Sequence, residues 1–141
     1  MLLSEDSSSV IRHSAQPRLD SKTIFSTGMR NKLKVQVQKL HSLTGHRDSV
    51  YTLQRSSTDR IIFSGSGDGM VVSWDLANPE SGQLIAKLPN SVYALHHHPE
   101  SDLLIAGHNY EGIHLLDWQN KREAGSLQLT KAAIFDIQSY D

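Results

Sequence analysis

The chain has 141 residues and a formal net charge of −1, from 14 basic and 15 acidic side chains. This balance gives no electrostatic reason to expect a nucleic-acid or membrane partner. The chain has no cysteine, which excludes disulfide bonds and thiolate metal sites, and it has no apolar run near the roughly 20 residues that span a bilayer.

Residues 1–28 differ in composition from the rest of the chain. Seven of them are serine, and the apolar residues among them follow neither a helical nor a strand period. Such a segment buries too little surface to offset the entropy lost on ordering. We therefore predict a disordered, serine-rich tail that occupies residues 1–33.

Short β-rich runs begin after this tail. Val35–Gln38 alternates apolar and polar residues, which predicts a half-buried strand within residues 34–44. Eight further runs follow, separated by turn residues, at positions 50–53, 61–63, 70–74, 84–88, 92–95, 103–106, 113–116 and 126–129. This spacing leaves no room for a helix and predicts antiparallel meanders of four strands, the unit of a propeller blade.

One phrase recurs every 42 residues, as Ser49–Leu53, Ser91–Leu95 and Ala133–Ile137. A period near forty indicates a copied supersecondary unit, and such units bury their apolar faces by stacking on one another. We therefore predict an all-β, incomplete propeller. Its parts would be a closing strand at 34–44, blades at 45–87 and 88–129, and the start of another blade at 130–141.

The apolar anchors of the repeated phrase lie three residues apart in each copy: Val50 and Leu53, Val92 and Leu95, Ile134 and Ile137. Strict alternation would put such residues on opposite faces of a strand. A β-bulge between them would return both to the core side and re-aim the side chain that it inserts. That side chain is aromatic in every copy: Tyr51, Tyr93 and Phe135.

The motifs of the first repeat are Leu43–His46, Ser64–Gly69 and the Trp74-Asp75 dipeptide. Together they resemble the WD40 repeat family, most closely over residues 45–75, and the resemblance extends across 34–141. It implies a β-propeller that acts as a non-catalytic scaffold for protein partners. It also implies a hydrogen-bonded tetrad in the first blade, formed by His46, Ser64, Asp68 and Trp74.

The second repeat departs from this tetrad. In register with the four tetrad residues it has Leu88, Ala106, Tyr110 and Leu116. Replacing all partners of a polar network together can leave stability nearly unchanged, whereas replacing one of them leaves the others buried without a hydrogen-bond partner. We therefore expect apolar packing to hold the second blade.

Two other chemistries are suggested by individual residues. His46, Ser64 and Asp68 are the residue types of a serine hydrolase, and His96–His98 suggests a metal site. Consecutive side chains of a strand alternate between its faces, so three adjacent histidines would not converge on one ion.

Gly65–Gly69 lacks the ending of a P-loop and is expected to be a tight turn. We expect no cofactor and no metal, with a histidine-rich metal-dependent or hydrolytic enzyme as the alternative.

The aromatic series Tyr51, Tyr93 and Phe135 is the candidate binding surface. In WD40 proteins the residue after the first anchor of this strand lies on the top face near the central channel, where partner peptides are held. Aromatic residues there would form an apolar platform, and the small Ser49 and Ser91 would leave room for a partner backbone. The alternative is that the rings only pack on one another or on the neighbouring blade.

Propellers close with about four to eight blades, and this sequence encodes about two. We expect the amino-terminal part of a longer propeller, in which residues 34–44 supply the outer strand that joins the last blade. If the chain is complete, we expect self-association. The function expected is a cytoplasmic protein–protein interaction scaffold that holds partner peptides, and a truncated product without a function of its own is a further alternative.

Overall fold

The computed structural model describes residues 9–12, 33–110, 112–129 and 131–140. Within these ranges the chain forms ten strands and no helix. The described part of the chain therefore contains no helix of the length and apolar character needed to cross a membrane. The chain divides into a small unit, Ser4–Ser42, and a larger unit that contains Leu43–Asp141.

The small unit contains a two-stranded antiparallel sheet. Strand β1 (Ser9–Arg12) pairs with β2 (Gln36–Lys39). The strand predicted within residues 34–44 is thus present, but its expected half-burial is wrong, because Val35 is 55% exposed and Val37 57%. A two-stranded sheet has no second layer of its own to cover its faces.

The predicted disorder of residues 1–33 lies mostly outside the described residues. Four of its described residues, Ser9–Arg12, form β1 and differ from that expectation. Two of them are β-branched residues that favour strands. Pairing with β2 also gives their backbone groups hydrogen-bond partners.

The larger unit contains the two predicted four-stranded meanders. Blade 1 consists of β3 (Val50–Arg55), β4 (Ile61–Ser66), β5 (Met70–Asp75) and β6 (Gln83–Lys87). Blade 2 consists of β7 (Val92–His98), β8 (Leu103–His108), β9 (Gly112–Asp117) and β10 (Arg122–Leu127). Neighbouring strands are antiparallel and follow chain order in both sheets, so the predicted propeller blades are confirmed.

The predicted bulges occur in both blades. The β3–β4 register shifts between Val50 and Thr52, and the β7–β8 register shifts between Val92 and Ala94. The extra residues are Tyr51 and Tyr93, as the anchor spacing predicted.

The third copy of the phrase is not a strand, since residues 131–140 have no described strand beside them with which to pair. Its two anchors nevertheless face blade 2. A Cβ atom added to Gly107 would lie 2.8 Å from Ile134 Cγ2 and 3.1 Å from Ile137 Cδ1. Both anchors of the third copy therefore lie against β8 of blade 2.

The core lies between the two blades. Its buried apolar residues come from both sheets: Phe63, Val71, Ile85, Leu88, Val92, Leu95, Leu104, Ala106 and Leu116. The closest approach is at Gly65, where an added Cβ would lie 2.5 Å from Val92 Cγ1. Glycine at this position lets β4 and β7 pack tightly enough to exclude solvent.

The other face of blade 1 is covered only in part, by a second buried cluster of Leu43, Val72 and Trp74. Leu53 lies opposite Ser64 in the ladder, so it is on the face away from Phe63, which packs in the core between the blades. Leu53 is 51% exposed, whereas its repeat equivalent Leu95 is 5% exposed. The expectation that Leu53 lies in the core is thus wrong, because blade 1 covers Leu95 and no described blade covers Leu53.

This difference predicts unequal costs for the same substitution. Leu95→Ala should lower the free energy of unfolding by about 2–5 kcal/mol, because it leaves a cavity in the core. Leu53→Ala should lower it by less than about 1 kcal/mol, because the side chain is half-exposed. Urea denaturation of both variants measures the two costs, and equal losses would contradict the one-sided packing.

Candidate functional site

Three aromatic side chains from three copies of the repeat form a continuous row. The ring centroids of Tyr51 and Tyr93 are 4.9 Å apart with an interplanar angle of 49°. Those of Tyr93 and Phe135 are 5.0 Å apart with an angle of 45°. These separations lie within the range of favourable aromatic pairs. We call Tyr51, Tyr93 and Phe135 the aromatic row.

The row remains accessible although its rings touch. Tyr51 is 51% exposed and Phe135 is 72% exposed, while Tyr93 between them is half-buried. The two alternatives from the sequence therefore coexist, since each ring packs on its neighbour and the row still presents an apolar surface to solvent. Mutual packing fixes the ring positions before any partner arrives.

The turn after β4 supports the Tyr51 end of the row. An added Cβ at Gly67 would lie 2.8 Å from Asp48 Oδ2 and 3.2 Å from Tyr51 Cε2, so only glycine fits between them. Gly67 donates its amide hydrogen to the Ser49 carbonyl at 2.9 Å. Its own carbonyl accepts a hydrogen bond from the Ser91 hydroxyl at 3.2 Å. Ser49 and Ser91 thus hold this turn, a role that the sequence did not indicate.

The structure brings together all four residues of the expected tetrad. Trp74 Nε1 donates to Ser64 Oγ at 2.9 Å, and Ser64 Oγ lies 2.8 Å from His46 Nε2. His46 Nδ1 lies 3.1 Å from Asp68 Oδ2. The indole can only donate, so the serine hydroxyl donates to Nε2 and the histidine carries its proton on Nδ1. With the imidazole neutral, every polar side-chain group of the tetrad has a hydrogen-bond partner.

The tetrad also fixes the backbone around it. Asp68 accepts hydrogen bonds from the amides of Arg47 and Met70, both at 2.8 Å. Burial raises the pKa of Asp68, but these two bonds and the one from His46 outweigh burial and leave that pKa below its usual value. Burial lowers the pKa of His46 below 6.5, against the opposing effect of Asp68. Protonated Nε2 would also face a hydroxyl that already accepts from Trp74.

Blade 2 packs with apolar residues at three of the four equivalent positions. Leu88, Ala106 and Leu116 are 5%, 0% and 1% exposed. The fourth, Tyr110, is 59% exposed and lies in a turn with a φ of 77°. Apolar packing therefore replaces the tetrad, as expected, without a contribution from Tyr110.

A polar cluster that the sequence did not predict joins the blades. His97 Nε2 lies 2.8 Å from Asp102 Oδ1, and Trp118 Nε1 donates to the same oxygen at 3.2 Å. The ring of Phe63 packs 5.8 Å from that of His97 and 5.1 Å from that of Trp118. No family motif marks these positions, so spacing alone could not have identified them.

The three adjacent histidines have three different partners. His96 Nε2 lies 2.8 Å from Ser139 Oγ, and His98 Nδ1 lies 3.0 Å from Ser101 Oγ, while His97 meets Asp102. Across the described residues, no three histidine, aspartate or glutamate side chains are grouped to hold a metal ion. The three histidines therefore do not converge on one site.

Ser64 is not accessible as a nucleophile. Its relative exposure is 0%, and its hydroxyl is bonded to both Trp74 and His46. A serine nucleophile needs contact with its substrate and an oxyanion hole beside it. The tetrad thus has the hydrogen bonds of a catalytic triad but no route to a substrate.

The tetrad predicts a large effect of a small substitution. Ser64→Ala would leave Trp74 Nε1 and His46 Nε2 buried without their partner, so the free energy of unfolding should fall by about 2–5 kcal/mol. Ser57→Ala, at an exposed serine of the same blade, should change it by less than about 0.5 kcal/mol. Chemical denaturation at pH 7.5 measures both, and a cost below about 1 kcal/mol for Ser64→Ala would contradict the network.

The lowered pKa of His46 predicts acid sensitivity. Below about pH 6.5 the unfolded chain protonates this histidine and the folded chain resists, so folding stability should fall as the pH falls. His46→Gln should be less stable at pH 7.5 but should lose less stability between pH 7.5 and 5.5. Denaturation profiles across this range test the prediction, and parallel profiles for the two proteins would contradict it.

Comparison with known proteins agrees with this architecture. A family model described as "WD domain, G-beta repeat" matches residues 37–75. The WD repeat-containing protein SL1-17 of Schistosoma mansoni is 26% identical over 105 residues, which are 72% of this chain and 34% of that protein. The chain thus spans about a third of the length of this curated relative.

Two solved structures share the fold. The crystal structure of the RRP9 WD40 repeats gives a TM-score of 0.56 at 21% identity and covers 64% of this chain and 29% of that one. The computationally designed Ika8 protein gives a TM-score of 0.57 at 22% identity and covers 76% of this chain and 34% of that one. The chain is thus similar to WD40 repeat proteins: a WD40 family model matches its first repeat, and solved WD40 structures share the fold of its two four-stranded blades.

Proposed function

We propose that this chain is a protein-interaction scaffold whose aromatic row binds a peptide segment of a partner protein. WD40 repeats generally serve as interaction scaffolds. The observation that carries the finer proposal is the row itself, with three rings in contact at 4.9 and 5.0 Å and both ends at least half-exposed. Contiguous exposed aromatic side chains are typical of binding hot spots.

Preorganisation supports this assignment. Binding costs less when the contact side chains are already ordered. The bulges fix the backbone at Tyr51 and Tyr93, and each ring rests on its neighbour. The Gly67 turn fixes the Tyr51 end through bonds to Ser49 and Ser91. A partner would therefore meet a surface that is already in place.

We further propose that the scaffold is not an enzyme. The serine that a hydrolase would use as its nucleophile is not accessible, because Ser64 is buried and hydrogen-bonded within the tetrad. The histidines that a metal-dependent enzyme would use are bonded to Ser139, Asp102 and Ser101. The lack of cysteine in the sequence supports the cytoplasm as the proposed compartment.

We also propose that a further blade covers the exposed face of blade 1 in the complete assembly. Leu53 and Leu84 on that face are 51% and 49% exposed. Their surroundings differ from those of Leu95, which a neighbouring blade covers. A further blade from the same chain or from another copy would supply the same cover.

The binding function is tested with a displayed library of random peptides selected against the full chain. Peptides retained by the natural sequence should bind Tyr51→Ala and Phe135→Ala at least tenfold more weakly, because each substitution removes an exposed anchor. The matched control is Leu84→Ala, an exposed apolar residue outside the row. It should leave affinity within about twofold, as expected for a residue outside the contact.

The stability of each variant is measured alongside its affinity. Tyr51→Ala and Phe135→Ala should keep most of the unfolding free energy, since both side chains are largely exposed. Selected peptides that bind all three variants equally would refute the aromatic row as the binding surface. Loss of binding to Leu84→Ala alone would place the site on the exposed face of blade 1 instead.

A further inference from the structure

The Tyr51 end of the aromatic row has a carboxylate beside it. A Cβ atom added to Gly67 would lie 2.8 Å from Asp48 Oδ2 and 3.2 Å from Tyr51 Cε2. The carboxylate oxygen and the edge of the ring are therefore close to the same point, and glycine at position 67 places no side chain between them. Asp48 and Tyr51 are both exposed, so one incoming group can contact them together.

Hydrogen bonds hold this carboxylate in position. Asp48 Oδ1 accepts from the backbone amide of Ser49 at 2.7 Å. The backbone carbonyl of Asp48 accepts from the hydroxyl of Ser66 at 3.2 Å, and Gly67 donates to the Ser49 carbonyl at 2.9 Å. One carboxylate oxygen is thus bonded to the backbone, and the other, Oδ2, lies next to the Tyr51 ring. A charged partner would meet an acceptor that is already ordered.

The negative charge of Asp48 is not neutralised within the part of the chain that the structure describes. Asp48 forms no ion pair there with a lysine, an arginine or a histidine. Other charged side chains near the row have partners of their own, since Lys87 donates to the Asp68 carbonyl and Asp136 accepts from Gln138. Asp48 is therefore available to a positive group on a partner.

The charge belongs to one copy of the repeat only. The residues 42 and 84 positions after Asp48 are Asn90 and Ala132, which precede the other two aromatic residues of the row at the same spacing. The stacking of repeats makes the three rings alike, but the carboxylate distinguishes the Tyr51 end from the Phe135 end. The row thus has a direction.

A basic side chain is the group that fits this end of the row. A lysine or arginine cation on the face of a tyrosine ring is attracted by the ring quadrupole, and a carboxylate beside that ring adds an ion pair. The aliphatic stem of either residue also packs well on aromatic surface. An acidic side chain in the same place would be repelled by Asp48, and such charge pairing chiefly provides specificity.

We propose that the peptide bound by the aromatic row carries a lysine or arginine that lies on the Tyr51 ring and pairs with Asp48. This pairing rests on the peptide binding proposed above and specifies its chemistry. Apolar residues of the same peptide cover Tyr93 and Phe135. Since Asn90 and Ala132 carry no charge, the basic residue lies at one end only, and the peptide binds in one direction.

The sequence supplies a matched variant for this proposal. Asp48→Asn gives blade 1 the residue that blade 2 carries at Asn90. It removes the charge but keeps an oxygen that can accept from the Ser49 amide, so the fold should be retained. The control is Arg47→Gln, which removes the exposed charge next to Asp48 in the chain.

The first experiment selects random peptides from a displayed library against the full chain and, in parallel, against its Asp48→Asn variant. Peptides retained by the natural sequence should be enriched in lysine or arginine at one position. The enrichment should be lost in the selection against Asp48→Asn. An equal enrichment in both selections would overturn the pairing with Asp48.

The second experiment is a double-mutant cycle on the selected peptides, with affinities from fluorescence anisotropy. Replacing the basic residue of the peptide by glutamine should weaken binding to the natural sequence about fivefold, as expected for one ion pair near a surface. The same replacement should change binding to Asp48→Asn less than about twofold. The fivefold difference should shrink between 0.05 and 0.5 M salt, because salt screens exposed charges. Arg47→Gln should not weaken binding.

The outcomes separate this pairing from the binding function itself. Peptides that lose affinity for Tyr51→Ala and Phe135→Ala but bind Asp48→Asn as tightly as the natural sequence would overturn the pairing and leave the aromatic row as the binding surface. Weaker binding to Arg47→Gln than to Asp48→Asn would also overturn it. Peptides that bind Tyr51→Ala and Phe135→Ala normally, or a library from which none is retained, would refute both proposals.

Discussion

The structure depends on the packing of one blade face against the next. A four-stranded sheet with apolar residues on both faces has to cover both, and stacking repeated units does so with equivalent positions in each copy. Phe63 of blade 1 and Leu95 of blade 2 belong to this shared core. Gly65 permits the close contact with Val92 that makes the core dry. The aromatic row follows from this stacking, because repeat copies placed side by side bring equivalent residues into contact.

Each blade solves the problem of buried polar groups differently. Blade 1 satisfies Trp74, Ser64, His46 and Asp68 with one another. Blade 2 places apolar residues at most of the equivalent positions and uses other sites for its polar residues. One joins His97 to Asp102 and Trp118, and another joins His108 to His114 and Glu123. In blade 1 the tetrad gives each of its buried donors and acceptors a partner, which is what stability requires.

The sequence was sufficient where a feature depends on local pattern. The bulges at Tyr51 and Tyr93 follow from anchors three residues apart. The tetrad was implied by the resemblance of the first repeat to WD40 repeats, and the structure brings its four residues together. It was insufficient where a feature depends on neighbours. The exposure of Leu53 is set by what stacks on blade 1, and the strand at Ser9–Arg12 is set by pairing with a distant segment. The residues near Leu53 or near Ser9–Arg12 in the sequence do not determine which segment packs or pairs with them.

The histidine clusters of blade 2 are a second feature that the sequence alone could not predict. His114 meets Glu123 only because β10 carries a bulge that shifts its register by one residue. A shift of one residue exchanges the two faces of a strand, so spacing along the chain cannot predict which side chains meet. The contact between His108 and His114 likewise requires the tight turn before Gly112, whose φ is 96°.

The buried polar groups of both blades lie beside the surface proposed for recognition. In blade 1, Asp68 of the tetrad follows Gly67 directly, and Gly67 contacts the backbone of the Tyr51 strand. In blade 2, His108 is paired with the residue before Tyr93. Apolar packing is not directional and tolerates small rearrangements, whereas hydrogen bonds between buried groups specify orientation. The aromatic row thus gains defined ring positions from the hydrogen bonds next to it.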